Sequence, residues 1–174
     1  MLDDLVASCR QFPGSDLTTA SARMRALLPA VRRLRLATVD VPWGRYLAHD
    51  EGSFNVQIDV FSPDYVGGVH AHRTWGIFFV LRGGLWAEDW AEGPTGLAPV
   101  REAWIGAGGC ACFAPPASDW HRVATGSGQQ TVSIHVYGPG FDLDEGEGLD
   151  AAGTVRRYRR SAWGDPAALL PLFA

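Results

Sequence analysis

The chain has 174 residues, of which 47% are hydrophobic and 20% are charged, and this balance is typical of one globular domain. The net charge of −4 gives no reason to expect a nucleic-acid partner, and no apolar run approaches the length that spans a membrane. The first residues, MLDDLVASCRQF, contain no basic segment followed by an apolar one. We therefore expect no secretory signal and a cytoplasmic protein.

Residues 1–38 are predicted to form a helical segment. After the breaker PGSD, the run LTTASARMRALLPAVRRLRL has helical spacing, with Asp16 as its N-cap and Pro29 interrupting it.

From residue 45 the apolar period changes to two, which indicates strands. Turn residues separate the strands at short intervals, and the predicted strands are 54–61, 76–84, 85–90, 110–115, 121–125 and 131–138. The pattern predicts an all-β sandwich or barrel over residues 39–174, with the helical segment packed on it, so that residues 1–174 form a single domain.

The strand TVSIHVYG carries three polar residues in a row on one side: Ser133, His135 and Tyr137. Val132, Ile134 and Val136 lie on the other side. A strand facing water usually includes Lys, Glu or Asp on its polar side, and this one does not. The residues alone leave a solvent face and an inward polar face about equally supported.

Two histidines stand as HAH, so that His70 and His72 project from the same face of a strand. Adjacent imidazoles of this kind can bind one metal ion, and His121, on a later strand, is the natural third ligand. An HxH pair can equally be a surface pair, and a single histidine is more often structural. His49, beside two acidic residues, is predicted to lie at the surface.

The chain resembles the cysteine dioxygenase family, the thiol dioxygenase branch of the cupins. Four segments carry the resemblance across residues 40–142: WGRYL (43–47), VHAHRTWGIFFVLRGGL (69–85), WHRVAT (120–125) and SIHVYGPGFD (133–142). It implies a cupin double-stranded β-helix, a jelly-roll barrel, that holds one mononuclear Fe(II) ion.

The resemblance also implies roles for individual residues. His70, His72 and His121 resemble the three iron ligands, and Ser133, His135 and Tyr137 resemble the proton relay beside the iron. Arg45 resembles the arginine that binds the substrate carboxylate. The Gly138–Pro139 bond matches one that is cis in relatives.

Two departures from the family pattern stand out. Animal members cross-link a cysteine to the active-site tyrosine, and Gly76 stands at the matching position, so no cross-link is expected. Cys110 and Cys112 are too far along the chain to replace that cysteine. The segment HRTWG is similar to that of bacterial members, some of which use other mercapto-acids. The identity of the thiol substrate therefore stays open.

Other residues admit two interpretations. Arg45 can instead pair with Asp50, Glu51 or Asp59. Trp75 and Trp120 flank the histidines and can either line the substrate pocket or belong to the core. The basic run RRYRR (156–160) is predicted to be a solvated face rather than a nucleic-acid patch.

The expected function is O2-dependent oxidation of a small thiol, with L-cysteine to cysteine sulfinate as the first choice. Tyr137 and Trp75 are expected to contact the substrate with Arg45. The alternatives are a dioxygenase of 3-mercaptopropionate or another mercapto-acid, a thiol oxygenase with a different product, and a non-catalytic metal-binding sensor. The oligomeric state is left open.

Overall fold

The computed structural model describes residues 2–11, 17–34, 36–37, 41–116, 118–126 and 128–173. Two helices come first, α1 (Leu2–Cys9) and α2 (Leu17–Arg33). Asp16, the predicted N-cap, lies outside the described residues. The expected break at Pro29 is wrong, because α2 continues through it to Arg33. Burial of Leu27, Ala30 and Val31 offsets the hydrogen bond that a proline removes from a helix.

Eleven strands follow in the described part of the chain. They are β1 (Gly44–Asp50), β2 (Asn55–Phe61), β3 (His70–Ala71), β4 (Gly76–Arg82), β5 (Gly84–Gly93), β6 (Gly96–Gly106), β7 (Cys110–Phe113), β8 (His121–Thr125), β9 (Thr131–Tyr137), β10 (Glu145–Leu149) and β11 (Val155–Arg159). A 3-10 helix, Pro166–Phe173, closes the chain. The sequence pattern does not predict β6 or β11, because most residues of both strands are exposed and neither shows apolar alternation.

The strands form two antiparallel sheets. The first has the order β1-β2-β9-β4-β7, and the second has the order β11-β10-β3-β8-β5-β6. From β2 to β10 successive strands alternate between the sheets, except for the β5–β6 hairpin, as in a double-stranded β-helix. The predicted fold class, all-β with N-terminal helices, is confirmed. None of the helices in the described ranges is long and apolar enough to cross a membrane.

The two faces of the first sheet have different partners. Val132, Ile134 and Val136 of β9 are fully buried in the main core cluster, which also contains residues of α1 and α2. The alternate residues of β9 face the space between the sheets. Strand β2 repeats this division, since Val56 and Ile58 belong to the same core cluster while Gln57 and Asp59 line the inner space. This period-two division places the polar residues of both strands on the inner side.

Candidate metal centre and active site

Three histidines meet between the sheets. His70 on β3 pairs directly across the ladder with His121 on β8, and His72 follows β3 by one residue. Their ligand nitrogens all lie within 4.8 Å of one another. The cluster lines a cavity of 820 Å³. The structure thus brings the three predicted ligands together, and they could bind a metal ion.

Backbone carbonyls orient two of the rings. Nδ1 of His70 lies 2.9 Å from the carbonyl oxygen of Gly68, and Nδ1 of His121 lies 2.7 Å from that of Asp119. Because a carbonyl can only accept, each Nδ1 carries the hydrogen and each Nε2 keeps its lone pair for a metal. Nε2 of His72 is buried without a hydrogen-bond partner, which fits a nitrogen reserved for the same ion.

The second ring nitrogen of His72 has an unusual neighbour. Nη2 of Arg160 lies 3.2 Å from Nδ1 of His72. A guanidinium can only donate, so in this contact Nδ1 accepts and the hydrogen sits on Nε2. A metal at Nε2 would move that hydrogen to Nδ1, and the Nη2 donor of Arg160 would then need another acceptor. The metal site and Arg160 are therefore coupled.

Asp119 supports the site from two directions. Its side-chain oxygen Oδ1 accepts hydrogen bonds from the backbone nitrogens of His72 (3.0 Å) and Arg73 (3.2 Å), while its own carbonyl holds His121. Arg73 adopts a φ of 60°, which is rare for a residue other than glycine. The bonds to Asp119 hold this turn and so fix the direction of His72. The sequence motifs do not single out Asp119.

Burial keeps the three imidazoles neutral. It lowers the pKa of His70 to about 4, and it lowers the pKa values of His72 and His121 well below 6.5. The neighbouring imidazoles add to the effect at His72 and His121. At neutral pH each ring therefore keeps one nitrogen lone pair, as a metal requires, and at His72 this lone pair is at Nε2 only once the hydrogen has moved to Nδ1.

The polar row of β9 forms a hydrogen-bonded chain. Oγ of Ser133 lies 2.7 Å from Nε2 of His135, and Nδ1 of His135 lies 3.0 Å from the hydroxyl of Tyr137. The Tyr137 ring lies 4.6 Å from that of His72. Burial raises the pKa of Tyr137 well above 10, so its hydroxyl stays protonated. The row faces the cavity and ends beside the candidate metal centre.

Arg45 lines the cavity, but its side chain is already engaged. Its Nε donates to the carbonyl of Ser161 (2.7 Å) and its Nη2 donates to the carbonyl of Leu143 (2.6 Å). The guanidinium also stacks on Trp163 at 3.9 Å. These contacts tie β1 to the C-terminal segment, and Asp59, one of the expected acidic partners, lies opposite Arg45 in the β1–β2 ladder. The substrate contact expected of Arg45 stays a prediction.

Trp75, one of the expected substrate contacts, lies in the core and is not among the cavity-lining residues. Trp75 is 2% exposed and belongs to the core cluster beneath the helices, with the guanidinium of Arg23 over its ring at 3.8 Å. It precedes β4 by one residue, and its side chain lies on the helix side of the first sheet rather than the cavity side. Trp120 is also buried and is not among the cavity-lining residues.

Phe113 occupies the space in front of Gly76. A side chain added at Gly76 would collide with the Phe113 ring, which itself lies 4.4 Å from the ring of His121. The cysteines of β7, Cys110 and Cys112, are free thiols that pack against the core cluster. The Gly138–Pro139 bond is trans, and the cis peptide bond of the described chain joins Pro115 and Pro116.

The C-terminal part of the chain supplies cavity residues that motif analysis misses. The run RRYRR is exposed along β11, but Tyr158 and Arg160 line the cavity, and Arg160 also lies 4.5 Å over the ring of Phe141. The run is thus exposed along β11, as predicted, and its alternate residues also line the cavity. Alternation within the run was the available signal, since Arg156, Tyr158 and Arg160 share the inner side.

No family model matches the chain. Among solved structures, protein NMB1881 from Neisseria meningitidis is 20% identical over 59% of this chain and 91% of its own, with a TM-score of 0.42. BH2720 from Bacillus halodurans is 14% identical over 75% and 84%, with a TM-score of 0.48. An oxalate oxidase in complex with the substrate analogue glycolate is 13% identical over 60% and 56%, with a TM-score of 0.47.

Removing one imidazole should abolish metal binding. In His72→Ala, the affinity for Fe(II) or Co(II) should fall by more than about 100-fold, because direct ligands matter more than the groups that orient them. Elemental analysis after anaerobic loading, with titration calorimetry, measures it. His49→Ala is the matched control, since His49 contacts Glu51 and Phe54 away from the cavity. Equal metal content in both variants would contradict the assignment.

The metal-free protein should lose stability in acid. Folding lowers the pKa of His70 to about 4 from a usual 6.5. Between these two pH values the unfolded chain therefore binds a proton at His70 and the folded chain does not. The free energy of unfolding should therefore fall as the pH drops from about 6.5 to 4, by at most about 1.4 kcal/mol per pH unit from this group. Urea denaturation of chelator-treated protein measures the slope. His70→Gln should make the slope less steep without removing it, because folding also lowers the pKa values of His72 and His121. A wild-type stability that does not change across this range would contradict the argument.

Proposed function

We propose that the protein is a non-haem Fe(II)-dependent thiol dioxygenase that oxidises L-cysteine to cysteine sulfinate. The observation that carries the proposal is the hydrogen-bonded chain Ser133–His135–Tyr137, which ends beside the three-histidine cluster. A cluster that only stored or sensed a metal would have no use for a buried relay pointing at it. Burying three polar side chains is costly unless they are bonded to one another, as these are.

The donor set fits ferrous iron and an anionic sulfur. Three neutral imidazoles leave the full charge of a divalent ion uncompensated, which favours a thiolate over a neutral ligand. Iron, when bound, supplies the redox activity that lets triplet O2 react with a closed-shell sulfur. The balance is one thiol and one O2 giving one sulfinic acid, with both oxygen atoms ending on sulfur.

The chain's own residues would prepare the substrate. The Tyr137 hydroxyl is held by His135 at the edge of the cluster, where it can exchange a proton with a bound molecule. Phe113 and Phe141 flank the histidines, with Phe113 4.4 Å from His121 and Phe141 5.2 Å from His72. These rings exclude water from one side of the reaction site.

We further propose that Arg160 binds the substrate carboxylate, in place of the role first assigned to Arg45. Arg160 contacts His72 through an Nη2 donor that metal binding would release, while its Nε donates to two backbone carbonyls. In Arg45 both Nε and Nη2 already donate to carbonyls. Burial lowers the pKa of Arg45, and the nearby positive charge of Arg160 lowers it further. This positive region favours a mercapto-acid such as cysteine or 3-mercaptopropionate over cysteamine.

Oxygen uptake by the anaerobically Fe(II)-loaded protein tests the activity. Cysteine, 3-mercaptopropionate, cysteamine and mercaptosuccinate form the panel, and mass spectrometry of the products should show a gain of two oxygen atoms. Tyr137→Phe should lower turnover by about 100-fold or more without changing metal content, because it removes the proton-carrying group. Tyr46→Phe is the control, since that hydroxyl bonds to Pro42 in the core.

The rivals give different results in the same experiment. A metal-binding sensor would bind one metal and show no uptake with any thiol, and Tyr137→Phe would leave its behaviour unchanged. Uptake accompanied by a product without two added oxygens would indicate a thiol oxygenase of another kind.

Carboxylate recognition is tested by a matched pair, Arg160→Met and Arg45→Met. Loss of a charge-assisted hydrogen bond should raise KM for cysteine and 3-mercaptopropionate by about 10- to 100-fold in Arg160→Met, with little change for cysteamine. Arg45→Met should mainly lower the melting temperature, since it cuts the link to Ser161 and Leu143. A KM increase confined to Arg45→Met would show that Arg45, and not Arg160, binds the substrate carboxylate. Metal content is measured in both variants.

A further inference from the structure

A carboxylate on the neighbouring strand joins the relay. Asp59 of β2 pairs across the ladder with Ser133 of β9. Its Oδ2 lies 3.4 Å from Nε2 of His135, and its Oδ1 is buried without a hydrogen-bond partner. The Asp59 side chain is 17% exposed and lines the cavity. No motif in the sequence marks this residue, and nothing in the proposed chemistry so far uses it.

The relay without Asp59 has no fixed direction. Ser133 and Tyr137 are hydroxyls, and each can donate to or accept from an imidazole nitrogen. The hydrogen of a neutral His135 can therefore sit on Nε2 or on Nδ1, and the two arrangements reverse every bond in the chain. The Tyr137 hydroxyl would then donate either to His135 or to the cavity.

An ionised carboxylate removes this ambiguity. It accepts hydrogen bonds and cannot donate, so it favours the hydrogen on Nε2 of His135, the nitrogen that it faces. Nδ1 is then an acceptor, and the Tyr137 hydroxyl donates to it. Burial raises the pKa of Asp59, and the positive charges of Arg45 and Arg160 offset part of that rise and so favour the ionised carboxylate. Arg45 lies directly opposite Asp59 in the β1–β2 ladder.

We propose that Asp59 is a positioning residue that fixes the hydrogen of His135 on Nε2 and thereby makes Tyr137 an acceptor towards the cavity. With this polarity the relay takes up a proton from the substrate side. The Tyr137 hydroxyl proton passes to Nδ1 of His135 as the hydroxyl oxygen receives the thiol proton. One S–H bond breaks, one N–H bond forms, and no electron changes hands. The assignment of the thiol rests on the proposed function, but the position of the hydrogen does not.

Nuclear magnetic resonance of metal-free protein with ¹³C,¹⁵N-labelled histidine tests the position of the hydrogen. The His135 signals are identified by their loss in His135→Gln. The wild type should show the Nε2–H form, and Asp59→Leu should shift His135 to a mixture or to the Nδ1–H form. Asp64→Asn is the control, because Asp64 is exposed in the loop after β2. An Nδ1–H form in the wild type, or an unchanged Nε2–H form in Asp59→Leu, would overturn the proposal.

A second variant covers a failure of Asp59→Leu to fold. Ser133→Ala removes the other partner of Nε2 and leaves Asp59 in place, so the Nε2–H form should persist. Its loss in Ser133→Ala would assign the control of His135 to Ser133 instead.

Turnover separates this inference from the proposed function. If the wild type oxidises a thiol, Asp59→Asn should lower kcat by about tenfold or more, with KM and metal content unchanged. An unchanged kcat would overturn the catalytic part of the inference. If no thiol is oxidised but the hydrogen moves in Asp59→Leu, the proposed function fails and the positioning role stands.

Discussion

The structure depends on a central strand that is buried on both faces. All seven residues of β9 are buried, with β2 on one side of it and β4 on the other. A strand in this position cannot leave a polar side chain without a partner. Its apolar side chains therefore pack under the helices, and its Ser, His and Tyr side chains bond to one another on the other face. The core and the relay are two results of the same alternation.

The same reasoning explains how much could be predicted from the sequence. Period two in β2 and β9 is a local pattern, and it was sufficient to predict the all-β fold. The HAH pair is also local, but the meeting of His70, His72 and His121 was predicted with the help of the family resemblance. Long-range contacts leave no such pattern. Asp119 supports His72 from 47 residues away and Arg160 reaches it from 88 residues away. No spacing marks Asp119, and alternation along RRYRR places Arg160 on the inner side without showing its partner, so only the folded chain shows their roles.

Two predictions about side-chain direction show another limit. Trp75 is three residues from His72, and proximity in sequence suggested a shared pocket, but the irregular turn between β3 and β4 places it on the helix side of the sheet. Arg45 lies on a strand next to the cavity, but the C-terminal segment folds back over β1 and its carbonyl groups accept the hydrogen bonds of the Arg45 side chain. Arg23 contacts Trp75, and Ser161 accepts a hydrogen bond from Arg45. Both partners belong to segments that are distant in the chain from the residue they contact.

The contact between Arg160 and His72 connects the C-terminal part of the chain to the candidate metal centre. Arg160 follows β11 directly, and its Nε donates to the carbonyls of Asp142 and Glu145, so this guanidinium ties the last strand to the loop before β10. If metal binding strengthens or weakens the Arg160 contact, the packing of this segment changes the free energy of metal binding by the same amount, because linkage is reciprocal. Metal binding at the histidines and the packing of the C-terminal strand are thus two coupled parts of one equilibrium, and a change in either one changes the other.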